Sequence, residues 1–449
     1  MNRLWLLSGL LAFWGCIAPE QTPPRRPNIV LIVSDDQGYG ELGCQGGDVP
    51  TPHLDRLAAS GVRFSAGYVT ASYCSPSRAA LLTGRYQQRF GHENNPVEKM
   101  NDRPGVGLPV SEKTLADRLK AAGYVTGMVG KWHLGVHPPQ HPLQRGFDEF
   151  FGFLREGHFY LPPPYEGTPE RVVSRLRDRE PEYDRANPIL RGRQEVEEKE
   201  YLTSALAREA TAFIDRHARD PFFLYLPFNA PHSPMQATPR DVERFAGIAD
   251  PHRRLWAAML AAMDDAVGRV LDALRKNGLD RDTLVIFLSD NGGPTKELTS
   301  RNDPFSGGKG SLLEGGIRIP FMASWPGKIP AGVVDPRPVS ALDVLPTALS
   351  AAGAALPAGI DGVNLLPYLA EGRKEAPHPA LYWRMGEQLA IRSGRWKLVR
   401  LKAGEPFRLY DLEQDLKEGR DLSETEAPRV RELKDRLTAW TAELAPPRW

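Results

Sequence analysis

Apolar residues gather in four short uninterrupted runs, Ile29 to Val33, Val125 to Val129, Phe222 to Leu226 and Leu284 to Leu288. Runs of this length without polar alternation predict strands buried on both faces. Between them the spacing changes to that of helices. Thr51-Pro52 opens one pattern with a cap residue and a proline in the first turn; Leu54, Leu57 and Ala58 share a face, and Gly61 closes it. Thr114 with Asp117 reads as a capping box, Leu115 and Leu119 fall on one side, and Gly123 ends the helix. Arg254 to Lys276 repeats the arrangement and stops at Gly278. Apolar strands alternating with amphipathic helices predict an α/β sandwich, a mostly parallel central sheet flanked by helices.

Beyond Gly353 the alternation lapses. Ala390 to Arg400 and Phe407 to Leu412 read as strands, and Val430 to Leu444 as a terminal helix, predicting a small C-terminal α+β subdomain. The expected organisation is a leader over 1–24, a large domain over 25–353 and the small subdomain over 354–449. That division suits 449 residues, because single cores stop growing at roughly 250 to 300. Arg155 to Glu200 is dense in charge and proline, and reads as a solvated insertion over the surface. There is no repeat of the solenoid kind.

The first residues carry an address. Arg3 precedes an apolar run from Leu4 to Trp14, too short to span a bilayer comfortably and built like a secretory signal. Gly15-Cys16 closes it ahead of a proline-rich stretch, so a lipid anchor at Cys16 and simple cleavage both fit. Either way the chain is expected to be exported, to a periplasm or cell surface. A net charge of +1 argues against a nucleic-acid partner. Once the leader is gone only Cys44 and Cys74 remain, which allows one bridge between them or two free thiols.

Polar residues follow the strands in a pattern of their own. Ser34, Asp35 and Asp36 come after the first run, and Ser289, Asp290, Asn291 and two glycines after the last. Gly130, Lys131, Trp132 and His133 follow the second; Asn229, Pro231 and His232 follow the third. Ligands of open parallel sheets bind beyond the carboxyl ends of the strands, so four such endings converge on one crevice. Taken singly, each acidic pair is what caps a helix or a turn. Together Asp35, Asp36, Asp290 and Asn291 offer oxygen donors alone, which favours Ca²⁺ or Mg²⁺.

The segment Cys74-Ser75-Pro76-Ser77-Arg78-Ala79-Ala80-Leu81-Leu82-Thr83-Gly84 predicts a helix with Cys74 at its start. Free N–H groups there welcome an anion, and Arg78 returns to the same side four residues on. The plainer reading is an inert buried thiol beside a structural arginine.

Cys-x-Pro-Ser-Arg followed by Thr83-Gly84 resembles the signature of the formylglycine-dependent sulfatases, which belong to the alkaline phosphatase superfamily. The likeness continues through Gly130-Lys131-Trp132-His133-Leu134-Gly135, Arg145-Gly146-Phe147-Asp148, Ala230-Pro231-His232, Ser289-Asp290-Asn291-Gly292 and Gly308-Lys309-Gly310. It implies the alkaline phosphatase-like sandwich and hydrolysis of sulfate esters, with sulfated carbohydrate as the expected substrate. It also implies that a maturation enzyme converts Cys74 to formylglycine, whose hydrate attacks sulfur. Arg78 then activates the hydrate, Lys131 and Lys309 bind sulfate oxygens, and His133 is the base that later frees sulfate. His232 protonates the leaving alcohol, and the metal falls to Asp35, Asp36, Asp290 and Asn291. Trp132 is read as packing, and His137, His141 and His158 as bystanders. A phosphonate or phosphate ester hydrolase of the same superfamily, and a non-catalytic glycan-binding relative, remain as alternatives.

Overall fold

The computed structural model describes residues 26–162 and 186–449. The leader with Cys16, and the middle of the charged insertion, lie outside the described residues. In chain order the first strands are β1 (Asn28–Ser34), β2 (Val62–Phe64), β3 (Gly67–Tyr68) and β4 (Val125–Lys131). Next come β5 (Glu149–Phe153), β6 (Leu190–Arg191), β7 (Gln194–Glu195) and β8 (Phe222–Pro227). Then follow β9 (Thr283–Ser289), β10 (Phe321–Ser324), β11 (Val333–Asp335) and β12 (Val339–Ser340). Ten of them make one sheet in the order β11-β2-β10-β9-β1-β8-β4-β5-β6-β7, and β3 pairs with β12 apart from it.

The four strands expected from sequence are β1, β4, β8 and β9, neighbours at the centre of this sheet. β1 runs parallel to β8 and β9, and β4 parallel to β8 and β5, so five carboxyl ends face the same way. Alternate residues of β1 feed two cores: Ile29, Leu31 and Val33 pack with Leu81, Leu82, Leu115 and Leu119, while Val30 and Ile32 pack with Leu54, Leu206 and Leu260. A helical layer on each face is why these runs show no polar alternation.

Several details differ from the expectations. Thr51 does not cap the helix Pro52–Ala59: its hydroxyl accepts the Gly43 N–H instead. Asp264, on the long helix Pro251–Lys276, takes the free N–H groups of His53 and Leu54 at 3.0 and 2.8 Å. The capping box of Thr114 with Asp117 forms as expected. The described ends of the charged insertion are more than solvated loop. β6 and β7 extend the sheet edge, and Tyr160 is buried with its hydroxyl donating to the carbonyls of Asn229 and His232.

After residue 380 an antiparallel sheet forms from β13 (Leu381–Met385), β14 (Gln388–Ser393), β15 (Trp396–Arg400) and β16 (Arg408–Asp411). The single strand expected over Ala390 to Arg400 is two, because Gly394 at φ +56° lets the chain reverse in a tight hairpin. The helix Ala427–Ala442 covers this sheet through Leu433, Leu437 and Trp440, and the same cluster reaches Ala80 and Tyr86 beside the Cys74 helix.

A buried ion group ties the small sheet to the helix Glu314–Ile317. Lys397 of β15 has no exposed side chain and lies 2.9 Å from Glu314 Oε1 and 2.8 Å from Glu418 Oε1. Burial pushes the Glu314 carboxyl up, but Lys397, Arg318 and Arg392 outweigh it and hold it at about 2. Replacing Lys397 with Met leaves Glu418 buried without its cation and Glu314 with Arg318 and Arg392 alone. We expect Lys397→Met to cost about 3 to 5 kcal/mol of stability, read by urea unfolding; a loss under about 1 kcal/mol would show the cluster to be dispensable.

Candidate active site

The turns after β1 and β9 lie side by side, because the two strands are paired in register from Asn28 with Thr283 to Ser34 with Ser289. This register brings both acidic endings to one place. The Asp36 N–H donates to Asp290 Oδ1 at 3.2 Å, and Asn291 Nδ2 donates to Asp36 Oδ1 at 2.7 Å. Asp36 is held at φ +63°, a left-handed conformation that costs a non-glycine residue of order 1 kcal/mol or more. Close approach of β4 to β8 then sets Lys131. Gly130 sits at φ +133°, and a Cβ there would fall 1.9 Å from the Pro227 carbonyl oxygen, so only glycine lets the strand end pass.

Three cations face the three carboxylates. Lys131 Nζ is 2.5 Å from Asp35 Oδ2, and Arg78 donates through Nε and Nη2 to Asp290 Oδ2 at 2.9 and 2.8 Å. Lys309 Nζ lies 2.6 Å from Asp36 Oδ1 and 3.4 Å from the Cys74 sulfur. Burial opposes ionisation of Asp35, yet Lys131, His232, Arg78 and Lys309 hold its carboxyl well below the usual range. Burial and the neighbouring Asp35 charge push Asp290 up to about 6, against the pull of Arg78 and Lys131.

Cys74 begins the helix Cys74–Thr83, which Gly84 ends at φ +65°. Its sulfur is 3.5 Å from Asp35 Oδ1, and burial pushes the thiol up to about 12 although Lys131 and Lys309 favour the thiolate. Both cysteines are free, which removes the bridge that would have blocked this position. The anion pocket expected from bare helix N–H groups is not formed by Ser75 or Ser77. Asn95 Oδ1 accepts the first at 2.9 Å, and the Tyr73 carbonyl accepts the second. Cationic side chains supply the positive field instead. Arg78 does not touch the sulfur; it reaches that region through Asp35, 3.4 Å from its Nη2.

The two histidines present different atoms. His133, at φ +55°, donates Nε2–H to the Pro96 carbonyl at 2.9 Å, leaving Nδ1 buried without a partner. Burial and Lys131 hold this ring well below its ordinary pKa, in the neutral form. His232 points Nδ1 at the Ser233 carbonyl, 2.6 Å away, and Nε2 at Asp36 Oδ2, 3.5 Å away. Burial lowers it, and Asp36 and Asp35 pull the other way.

Of the ten residues expected at the site, Asp36, Cys74, His133, His232 and Lys309 line one cavity of about 440 Å³, and Asp35, Arg78, Lys131, Asp290 and Asn291 are bonded to them or to one another behind its wall. Trp132 is packing as expected, fully buried with its indole N–H on the Gln140 carbonyl. His137, His141 and His158 do not line the cavity. Some contributors left no sequence signal. Ser75 anchors the His133 carbonyl at 2.6 Å, Pro96 acts through a backbone oxygen, and Glu98, Glu156 and Glu297 come from a loop and two helical turns too short to show a period.

The donor set suits a hard cation. Donor atoms of Asp35, Asp36, Cys74 and His232 lie within 4.8 Å of one another, and the buried Asn291 Oδ1 has no hydrogen-bond partner. With three carboxylates already balanced by Arg78, Lys131 and Lys309, a divalent ion held here would give the cavity the excess positive charge that an anionic ester requires.

Known proteins resemble this chain over most of its length. The model of the Sulfatase family matches residues 27–354, and that of the N-sulphoglucosamine sulphohydrolase C-terminal region matches 308–444. Mouse N-acetylgalactosamine-6-sulfatase is 39% identical over 393 residues, covering 83% of this chain and 72% of that one. Rat arylsulfatase G is 33% identical over 492 residues, covering 98% and 90%. The crystal structure of Ps i-CgsB in complex with k-i-k-neocarrahexaose superposes with a TM-score of 0.86 at 37% identity, covering 95% of each chain. With a family model spanning most of its residues, this chain belongs to the sulfatase family and hydrolyses sulfate esters.

Proposed function

We propose that the chain removes sulfate from sulfated carbohydrate, using residue 74 as formylglycine together with a divalent cation. The observation that carries this reading is the placement of Cys74 between Lys309 and Asp35, with Arg78 and Lys131 behind it. Formylglycine, once hydrated, supplies a nucleophilic hydroxyl and a second one through which the aldehyde is regenerated. Asp35, Asp36, Asp290 and Asn291 would hold Ca²⁺ or Mg²⁺, which supplies Lewis-acid charge to the sulfuryl oxygens.

The chain's own groups do the rest. Lys131 and Lys309 bind sulfate oxygens, and Arg78 fixes Asp35 and Asp290 so that both stay ionised beside residue 74. The unpartnered Nδ1 of His133 takes a proton from a hydroxyl at residue 74, because its other nitrogen is committed as a donor. His232 delivers a proton from Nε2 to the departing alcohol; a bound sulfate ester adds negative charge facing the ring and favours the protonated form. Sulfated carbohydrate is favoured as substrate by the cavity's polar rim and by the carrahexaose held in the related crystal structure.

The leaving group tests this assignment. A sugar alkoxide needs a proton as its bond to sulfur breaks, whereas 4-nitrophenolate leaves unaided. His232→Ala is expected to lower kcat by roughly 10²- to 10⁴-fold on a sulfated sugar and by much less on 4-nitrophenyl sulfate. Equal losses on both would remove His232 from the acid role. Faster turnover of 4-nitrophenyl phosphate than of the sulfate, in wild-type protein, would instead favour a phosphate ester hydrolase.

A further inference from the structure

The outer wall of the cavity is acidic where its inner end is cationic. Glu98, which starts the 3₁₀ turn Glu98–Asp102, and Glu297, in the short helix Thr295–Leu298, line it from separate elements, and no ion pair or hydrogen bond engages either carboxylate among the described residues. Among the described lining residues Lys309 is the sole lysine or arginine, and its ammonium lies at the inner end, between Asp36 and Cys74. Glu98 is also held in place by its own backbone. It sits at φ +45°, its N–H donates to Glu156 Oε1 at 2.8 Å, and its carbonyl accepts from Arg155 Nη1 at 2.9 Å and Asn101 Nδ2 at 3.2 Å. A strained residue fixed by three neighbours keeps its side chain at the rim against the pull of an easier conformation.

The acidic rim constrains what can sit beside the ester. With its sulfate at Lys309 and Cys74, the unit that carries the ester faces Glu98 and Glu297. Carboxylates accept hydrogen bonds from hydroxyl groups, so free hydroxyls of a sugar are matched there. A second sulfate or a carboxylate on the same ring would be pressed against two unneutralised carboxylates; the nearby Arg155 does not line the cavity and is held by the Glu98 carbonyl and Asp102.

Resting on the sulfatase reading above, we propose that this site selects a singly sulfated, otherwise neutral sugar unit, and that Glu98 and Glu297 are the residues that reject a neighbouring anionic group. The test measures sulfate release from a panel of hexose monosulfates. Each accepted substrate is compared with the same hexose bearing a second sulfate on an adjacent carbon. Wild-type protein is expected to favour the monosulfate in kcat/KM by on the order of tenfold or more, the scale of like-charge repulsion across several ångströms at a partly screened site. Glu98→Gln combined with Glu297→Gln should bring that ratio towards one. Wild-type protein that accepts the disulfated sugars equally well, or a double variant whose ratio is unchanged, overturns the proposal. So does turnover of 4-nitrophenyl sulfate with none of the hexose monosulfates, a result that leaves the sulfatase reading standing. Wild-type protein inactive even on 4-nitrophenyl sulfate would strike that reading and this one together.

Discussion

Replacing Cys74 with Ala is expected to abolish sulfate release, a loss on the order of 10⁵-fold or more, as when a covalent nucleophile is removed from other hydrolases. The unmodified thiol cannot substitute. Burial pushes it up to about 12, so the group stays a protonated, weakly nucleophilic thiol at pH 7. It also lacks the second hydroxyl needed to expel sulfate and restore the starting group. Active wild-type protein should therefore carry an aldehyde at position 74, seen as a mass change in the peptide that contains it. Preparations from hosts without a maturation enzyme should keep the thiol and be inactive. Full activity with an unmodified Cys74 would defeat the mechanism, while leaving the fold and family untouched.

Loss of one acidic ligand should be nearly as damaging. Asp290→Asn keeps the shape of the side chain and removes the charge that holds Arg78 through two hydrogen bonds at 2.9 and 2.8 Å. Two effects then combine: one fewer anionic donor for the cation, and an arginine left with less to anchor it. We expect activity to fall roughly 10²- to 10³-fold, with bound Ca²⁺ or Mg²⁺ falling in step by elemental analysis. Added metal should restore part of the activity, because the remaining donors still converge. Wild-type protein stripped of metal and still fully active would exclude a catalytic cation. Asp290→Asn with unchanged metal content and a large activity loss would place the effect on Arg78 alone.

Sequence and structure divide the explanation along clear physical lines. Strand positions are legible because β1, β4, β8 and β9 are sandwiched between two helical layers, and burial on both faces leaves an uninterrupted apolar run. Helix ends are legible where local chemistry sets them, as with the capping box of Thr114 and Asp117. At Thr51 the local pattern misleads, because the first N–H groups of that helix are satisfied by Asp264, more than two hundred residues away. Strands β5 and β10 leave no clear local period, since their neighbours in the sheet define them.

The site shows the same split. Cys74, Arg78, Lys131, His133, His232, Lys309 and the four acidic or amide residues after β1 and β9 are readable from motifs and from their positions at strand ends. Order along the chain sets which residue types arrive at those ends. How they pair follows from folding alone: Arg78 on Asp290, Lys131 on Asp35, Lys309 between Asp36 and Cys74. Folding also sets which nitrogen of His133 stays free, through a Pro96 carbonyl that no side-chain motif encodes. Pairing distances, burial and the acidic rim of Glu98 and Glu297 depend on loops brought together across the sheet, and spacing along one chain carries no record of contacts made through space.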